Sequence, residues 1–329
     1  MAVAQDSVPK LRPLTVFGYV QVHFRYAFAT GADSVVDYSD FRVQRLRLGI
    51  KGDVNQWLAY DVELDPRAPD ITSVLRDAFL EFKAVPRHVI RVGQQKTHFG
   101  YENRMSSSDL FVVNRAEVSD NLSRGVNLRD IGIGLIGNLK PGPRGFRIED
   151  GITVVNGAGM NVQNDNTPTK NVWGRLGLRW RSDSSNFTAR FGLSGGVGDL
   201  IDPGADSLSP ADDFRLKFNR YAADLEIEHR LVLLTAEYVS GHDENMLTGE
   251  TDGPYGYYVQ LVGRLAHKGR AGPIVRYDQL NDEFRRWTLG AYYGLPAERL
   301  RFLVNYELRH TFNSVRGDDK LYVWTQVRF

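Results

Sequence analysis

The sequence has no cysteine among its 329 residues. This absence excludes disulfide bonds, zinc sites built on thiolates and cysteine nucleophiles. A long apolar run is also missing, because the longest candidate, IGIGLIG at residues 131–137, is far shorter than the ~18 apolar residues of a membrane-spanning helix. The formal net charge is only +1, so the chain has no overall field that would recruit nucleic acid.

Common catalytic and metal-binding motifs are absent as well. The stretch NGAGMN lacks the lysine and the helix of a phosphate-binding loop, and GLSGGVG is not a nucleophile elbow. Acids two residues apart, such as Asp224 and Glu226, are expected by chance on a charged strand face. We therefore expect neither an enzyme nor a cofactor. No HExxH or similar metal-ligand spacing links the histidines, which are His23, His88, His98, His229, His242, His267 and His310.

The N-terminus, MAVAQDSVPK, lacks the basic and apolar regions of a complete signal peptide. Ala2-Val3-Ala4 before Gln5 nevertheless has the small-x-small form of an export cleavage site. We interpret residues 1–13 as a periplasmic segment that begins with a signal-peptide remnant, and residues 14–329 as a single barrel domain. An arbitrary disordered terminus is the alternative interpretation.

Alternation with a period of two runs through most of the chain. In the final stretch, KLYVWTQVRF, one parity is mostly apolar, and the other carries lysine, tyrosine, tryptophan, glutamine and arginine. A period of two is typical of an extended strand with two different faces. The pattern predicts sixteen strands, at residues 14–28, 41–52, 57–65, 74–84, 88–97, 129–139, 146–156, 171–181, 187–195, 216–229, 231–240, 255–266, 271–280, 283–294, 299–311 and 319–329.

The connections between these strands are alternately short and, with an exception near residues 281–282, long. Short turns at one end of an antiparallel sheet and long loops at the other indicate an up-and-down barrel. A soluble sandwich also alternates, but its loops need no such asymmetry. We therefore predict an all-β fold: a 16-stranded antiparallel transmembrane β-barrel in the bacterial outer membrane, with both termini on the periplasmic side.

The third long connection, residues 98–128, is too long for a passive link. Its apolar run Leu110–Val113 would be costly in open water, so we predict that this loop folds inward against the barrel wall. The alternative is an external loop. A lumen enclosed by sixteen strands is otherwise an aqueous channel.

Several motifs resemble the phosphate-selective porin O and P family. They include RVGQQKTHFGYE at 91–102, RDAFLEFK at 76–83, VVNGAGMNVQNDN at 154–166, GYYVQLVGRL at 256–265 and the arginine-rich FRVQRLRLGIKG at 41–52. The resemblance runs in order along most of the chain. It implies an outer-membrane porin, a homotrimer and a third loop inside the barrel.

Phosphate selectivity in that family rests on arginines and a lysine cluster at the constriction. Loop 98–128 has three arginines, four acids and no lysine, for a net charge of −1. We therefore expect a weak anion preference, for phosphate or related oxyanions, without a high-affinity phosphate site. The predicted anion path comprises Arg45, Arg47, Arg91, Lys96, Arg115, Arg124, Arg175 and Arg179, although the parity of Lys96 points away from the lumen. The opposing acids are Asp61, Glu63, Glu102, Glu117, Asp120, Asp224 and Glu226.

Two functions of different class fit these observations. The first is a passive diffusion channel for small hydrophilic solutes. The second is a trimeric scaffold barrel that anchors another envelope component and has a narrow or closed pore. The expected partners are the lipid bilayer, small hydrophilic or anionic solutes and two further copies of the chain.

Overall fold

The computed structural model describes residues 11–29, 36–68, 73–122, 129–139, 145–162, 169–182, 186–201, 215–246, 248–265, 270–295, 299–311 and 318–329. Within them, sixteen long strands form the barrel wall. They are β1 (Thr15–Ala27), β2 (Tyr38–Asn55), β3 (Leu58–Leu64), β4 (Leu75–Val85), β5 (His88–Lys96), β6 (Arg129–Leu139), β7 (Phe146–Val155), β8 (Asn171–Ser182), β9 (Phe187–Ile201), β10 (Arg215–His229), β11 (Val232–Asn245), β12 (Tyr255–Gly263), β13 (Ala271–Leu280), β14 (Phe284–Gly294), β15 (Leu300–Thr311) and β16 (Lys320–Arg328).

Each strand pairs antiparallel with the next, and β1 also pairs with β16, which closes the barrel. At the seam, Gly18 and Phe329 exchange two backbone hydrogen bonds of 3.1 Å, so the final residue completes the last strand pair. A short pair, Thr251–Asp252, extends the end of β11. In the described residues, no helix is both long and apolar enough to cross a membrane.

The two faces of the wall follow the predicted parity. On β16, Val323 and Val327 are about half exposed, whereas Trp324 and Gln326 are buried. In a closed barrel, the buried parity is the inner face. We call the other, largely apolar parity the outer face, and it carries the branched and aromatic side chains expected of a lipid-facing wall.

The sixteen predicted strands are confirmed, but three of them continue further than predicted. Strand β2 spans Tyr38–Asn55, β9 continues to Ile201 and β11 continues to Asn245. Strand β9 was predicted to end at residue 195, but it continues through glycines that make room for neighbouring side chains. A Cβ at Gly196 would lie 2.2 Å from the Trp173 ring, and one at Gly198 would lie 2.0 Å from Asn171 Oδ1.

Candidate functional site

The described part of the third long connection, residues 97–122, is here called the third-loop segment. It contains a single 3-10 turn, Glu102–Arg104, and a short helix, α1 (Glu117–Asn121). Its apolar side chains are buried, and Phe99, Ala116 and Val118 have no exposed surface. Little regular structure holds this segment together, so its conformation depends on contacts with the inner face.

Two apolar clusters join the segment to the inner face. Phe99 meets Trp173 of β8 with ring centroids 5.0 Å apart, and Ala116, Val118 and Leu122 complete the first cluster. Phe111 meets Tyr292 of β14 at 4.9 Å in the second cluster, next to Val112 and Val113. The run Leu110–Val113 is therefore buried, as its composition predicted.

Buried carboxylates fix the middle of the segment. Glu102 accepts hydrogen bonds of 2.8 and 3.1 Å from the Arg276 guanidinium of β13, and one of 2.8 Å from the Ala116 amide. The Glu237 carboxylate of β11 accepts hydrogen bonds from the backbone amides of Tyr101 and Glu102, at 2.8 and 3.1 Å. These bonds satisfy backbone donors that no regular structure satisfies, so they hold the segment against the wall.

A glycine on β7 makes room for the start of the segment. A Cβ at Gly151 would lie 2.1 Å from the His98 ring, so only a residue without a side chain lets His98 pack there. Burial, followed by the nearby Arg104, lowers the pKa of His98 to about 3, and its ring is uncharged at neutral pH.

We predict that Gly151→Val displaces His98 and destabilises the barrel by ~1–3 kcal/mol, because overpacking forces neighbours to shift. The matched control is Gly174→Val on β8, where the nearest atom to a Cβ is 3.7 Å away. Urea unfolding followed by tryptophan fluorescence in lipid vesicles measures both variants. Equal stability of the two would contradict the close packing of His98 against β7.

Three of the predicted cations of the path have acidic partners. Arg47 pairs with Asp65 and lies 3.3 Å from Glu63, and Arg91 donates to Glu81 at 3.0 Å. The Arg175–Asp224 pair has one hydrogen bond of 2.7 Å. The charges of these three arginines are thus partly cancelled by carboxylates on the inner face.

Other predicted cations support the segment itself. Lys96 donates to the carbonyls of Asn103 and Met105 at 3.0 and 2.7 Å, despite its unfavourable parity. Gly93, three residues earlier, has a φ of 129°, so β5 is not a regular strand there. Arg45 donates to Gln21 Oε1 at 3.0 Å and to the Val113 carbonyl at 3.2 Å.

Arg115 and Arg179 differ in their surroundings. Arg115 donates to the carbonyls of Glu102 and Met105, so its guanidinium stabilises the fold of the segment. Arg179 lies in register between Arg147 of β7 and Arg190 of β9, which forms a row of three arginines near the short-turn end. Arg124, also predicted for the path, lies outside the described residues.

The remaining predicted acids lie at different places along the wall. Glu63 is 3.7 Å from Arg129, and Glu117 is 3.6 Å from Arg286 and 3.7 Å from Arg309. Burial raises the pKa of Asp120 in α1 to about 6. Asp61 lines a cavity described below, and Glu226 accepts the Tyr101 hydroxyl and pairs with Arg190 at 3.2 Å.

In the part of the chain that the structure describes, four cavities lie beside the segment. The long-loop cavity, of about 250 Å³, lies near the long connections and is lined by Arg25, Arg42, Arg309 and Lys320, among others. The central cavity, of about 160 Å³, lies between Ser106 and the wall at Arg47. Two further cavities, of about 470 and 480 Å³, open toward the short turns and are called the short-turn cavities.

Arg104 lines three of these cavities, but it was not among the residues predicted from the sequence for the anion path. Its side chain lines the central cavity and both short-turn cavities. Burial, followed by the charge of Arg175, lowers the pKa of Arg104 to about 10, so it remains protonated at neutral pH. The composition of loop 98–128 includes Arg104, but nothing in the local pattern distinguishes it from Arg115.

Comparison with known structures shows the same fold. The chain is 14% identical to an anion-selective porin from Comamonas acidovorans, with a TM-score of 0.66 and coverage of 96% of this chain and 99% of that one. It is 12% identical to the outer-membrane protein OmpT of Vibrio cholerae in its trimer form, with a TM-score of 0.65 and coverage of 97% and 100%. OmpF of Salmonella typhi, in complex with daunomycin, is 16% identical, with a TM-score of 0.59 and coverage of 97% and 98%.

The family comparison agrees with the motifs. No curated protein sequence matches the chain. Residues 18–174 match the family described as phosphate-selective porin O and P. These residues extend from β1 into β8 and include the third-loop segment with its buried anchors. Over residues 18–174, this chain is therefore similar to the phosphate-selective porin O and P family, and its barrel has the same fold as a solved anion-selective porin.

Proposed function

We propose that this protein is a passive outer-membrane channel for small hydrophilic solutes, with a weak preference for anions such as small oxyanions. The observation that carries the proposal is the series of four cavities beside the third-loop segment. The central cavity shares Arg104 and Ser106 with the short-turn cavity of about 470 Å³. That short-turn cavity in turn shares Arg91 and His98 with the one of about 480 Å³. Such a series suits stepwise diffusion along one side of the lumen.

The anion preference follows from the charges that line the cavities. Each cavity has more lysine and arginine side chains than carboxylates: six against two in the long-loop cavity and four against two in the central cavity. Each short-turn cavity has four lysine and arginine side chains and three carboxylates. Arginine suits such a path because its guanidinium stays charged and binds oxyanions with two donors. The excess is small, so the preference is weak.

The constriction of this channel would be the third-loop segment, which we place inside the lumen. Support comes from its contacts with inner-face residues on strands from β7 around to β16, such as Thr153, Arg276 and Gln326. Arg45 lies within electrostatic reach of Arg115, which lines the long-loop cavity, and of Arg47, which lines the central cavity. We propose that the path passes Arg45, Arg47, Lys96, Arg91 and Arg175 and leaves near Arg179.

The assembly is proposed from the fold and its relatives. We propose a homotrimer in the outer membrane, with the short turns and both termini on the periplasmic side. Residues 14–329 would form one barrel domain, preceded by the segment 1–13. In that segment, the backbone amide and the guanidinium of Arg12 donate hydrogen bonds of 2.9 and 3.0 Å to the Asp53 carboxylate. These bonds hold the residues before β1 against the end of β2.

Purified protein in a planar lipid bilayer tests the proposed function. We expect stepwise single-channel conductance, and a reversal potential in a KCl gradient that reports a modest anion preference. The preference should weaken between 0.1 and 1 M salt, because the Debye length falls from about 10 to about 3 Å. A correctly folded protein that never conducts would contradict the proposal and favour the scaffold function. Saturation at low phosphate would contradict the weak preference alone.

A further inference from the structure

The backbone around Arg104 is held from two sides. Lys96 of β5 donates to the carbonyl oxygens of residues 103, 104 and 105, at 3.0, 3.4 and 2.7 Å. From the other side, Arg115 donates to the carbonyls of Glu102 and Met105. A backbone fixed in this way positions the Arg104 side chain without using its guanidinium.

The Arg104 guanidinium has no hydrogen bond or ion pair with the described residues. The wall arginines of the same cavities are paired: Arg91 with Glu81 at 3.0 Å, Arg129 with Asp77 at 2.6 Å and Arg175 with Asp224. A paired cation and anion act on a passing ion as a dipole, and their opposite contributions partly cancel. An unpaired charge acts at full strength.

We propose that Arg104 determines the charge selectivity of the channel. The assignment rests on the proposed function and deepens it, because it names one residue of the constriction as the source of the anion preference. Arg104 lines three of the four cavities, so an ion on this path passes close to it. Its charge persists at neutral pH, and the carboxylates of Glu149, Asp224 and Glu237 act on it from a distance, without an ion pair.

Glu149 of β7 carries a charge opposite to that of Arg104. It lines the same short-turn cavity as Arg104, and it too has no hydrogen bond or ion pair with the described residues. A free carboxylate at this position opposes the effect of Arg104 and limits the anion preference. Removing either charge should therefore move the selectivity, in opposite directions.

The absence of cysteine permits a clean test, because a single introduced thiol is the only one in the chain. We expect Arg104→Cys to lower the anion-to-cation permeability ratio about threefold, the effect of one unit charge within several ångströms in a largely aqueous passage. Reaction with a positively charged thiosulfonate should restore the ratio, and a negatively charged reagent should lower it further. The same channels are measured before and after reaction, so differences in folding do not enter.

Two controls complete the experiment. Arg285→Cys places the thiol on an exposed residue outside the four cavities, where either reagent should leave the ratio unchanged. Glu149→Gln should raise the ratio. An Arg104→Cys channel that conducts with the wild-type ratio, before and after both reagents, would overturn the assignment and leave the proposed function intact. Absence of conductance from the wild type would instead refute the proposed function.

Discussion

Replacing Glu102 by glutamine should destabilise the folded barrel by about 3 kcal/mol and release the third-loop segment from the wall. The carboxylate is almost fully buried and neutralises Arg276, which has no exposed side-chain surface. Removing one partner leaves a buried guanidinium without its principal counter-charge, and breaking such a pair typically costs ~3–5 kcal/mol. Asp278 lies 3.8 Å from Arg276 and compensates part of this loss, which favours the lower value.

The measurement combines urea unfolding in lipid vesicles with single-channel conductance. We expect a lower unfolding midpoint and, because the segment is less firmly held, a larger and noisier conductance. Asp109→Asn is the matched control, since Asp109 pairs with Arg328 at a half-exposed site and such pairs contribute less than about 1 kcal/mol. If Glu102→Gln matched Asp109→Asn in both measurements, Glu102 would not be an anchor of the segment.

A second variant separates charge from packing at this site. In the double variant Glu102→Gln and Arg276→Met, neither partner remains as an unpaired charge. Replacing a buried ion pair by neutral groups is often nearly neutral in stability. We therefore expect the double variant to recover most of the stability lost in Glu102→Gln.

Val304→Arg should prevent or strongly impair assembly of the barrel. Val304 lies on the outer face of β15, about 42% exposed, between Ala291 of β14 and Val323 of β16. An arginine on the lipid-facing surface of a barrel costs ~2–4 kcal/mol near the bilayer midplane. Folding into lipid vesicles, followed by the shift in gel mobility between heated and unheated samples, measures this effect.

Val304→Leu is the control for this variant, because it changes the shape of the side chain without adding charge. It should fold like the wild type. The neighbouring Asn305 is not a suitable control, although its parity alone suggests that an arginine would be tolerated there. Its side chain is fully buried and bonds to the Val113 amide at 3.1 Å and to the Trp324 indole at 3.0 Å. Normal folding of Val304→Arg would contradict a lipid-facing outer surface.

The wall of the barrel was predictable because strand parity is a local property. Each strand repeats every two residues, so a short window of sequence reports which face a side chain takes. The end of β9 was less predictable, because the residues just after the predicted end at 195 include glycines. Glycine at positions 196 and 198 is typical of a loop, but in β9 it gives space to Trp173 and Asn171. No local pattern distinguishes these two uses.

The candidate site was predictable only in outline. Sequence composition indicated an inward loop and a charged inner face, and it selected arginines by parity. The tertiary structure decided which of those charges are paired. Glu102 and Arg276 are 174 residues apart, and their pairing depends on how the segment packs against the wall. The same arrangement makes Arg115 a support of the segment and leaves Arg104 without a partner among the described residues.

The sequence by itself determined the strand number, the two faces of the wall and the approximate turns, because these depend on neighbouring residues and on the period of the extended chain. The tertiary structure decided the course of the third-loop segment, the pairing of its charges and the positions of the cavities. These features arise from contacts between residues far apart in sequence, and the barrel brings these residues together only when it closes between β1 and β16.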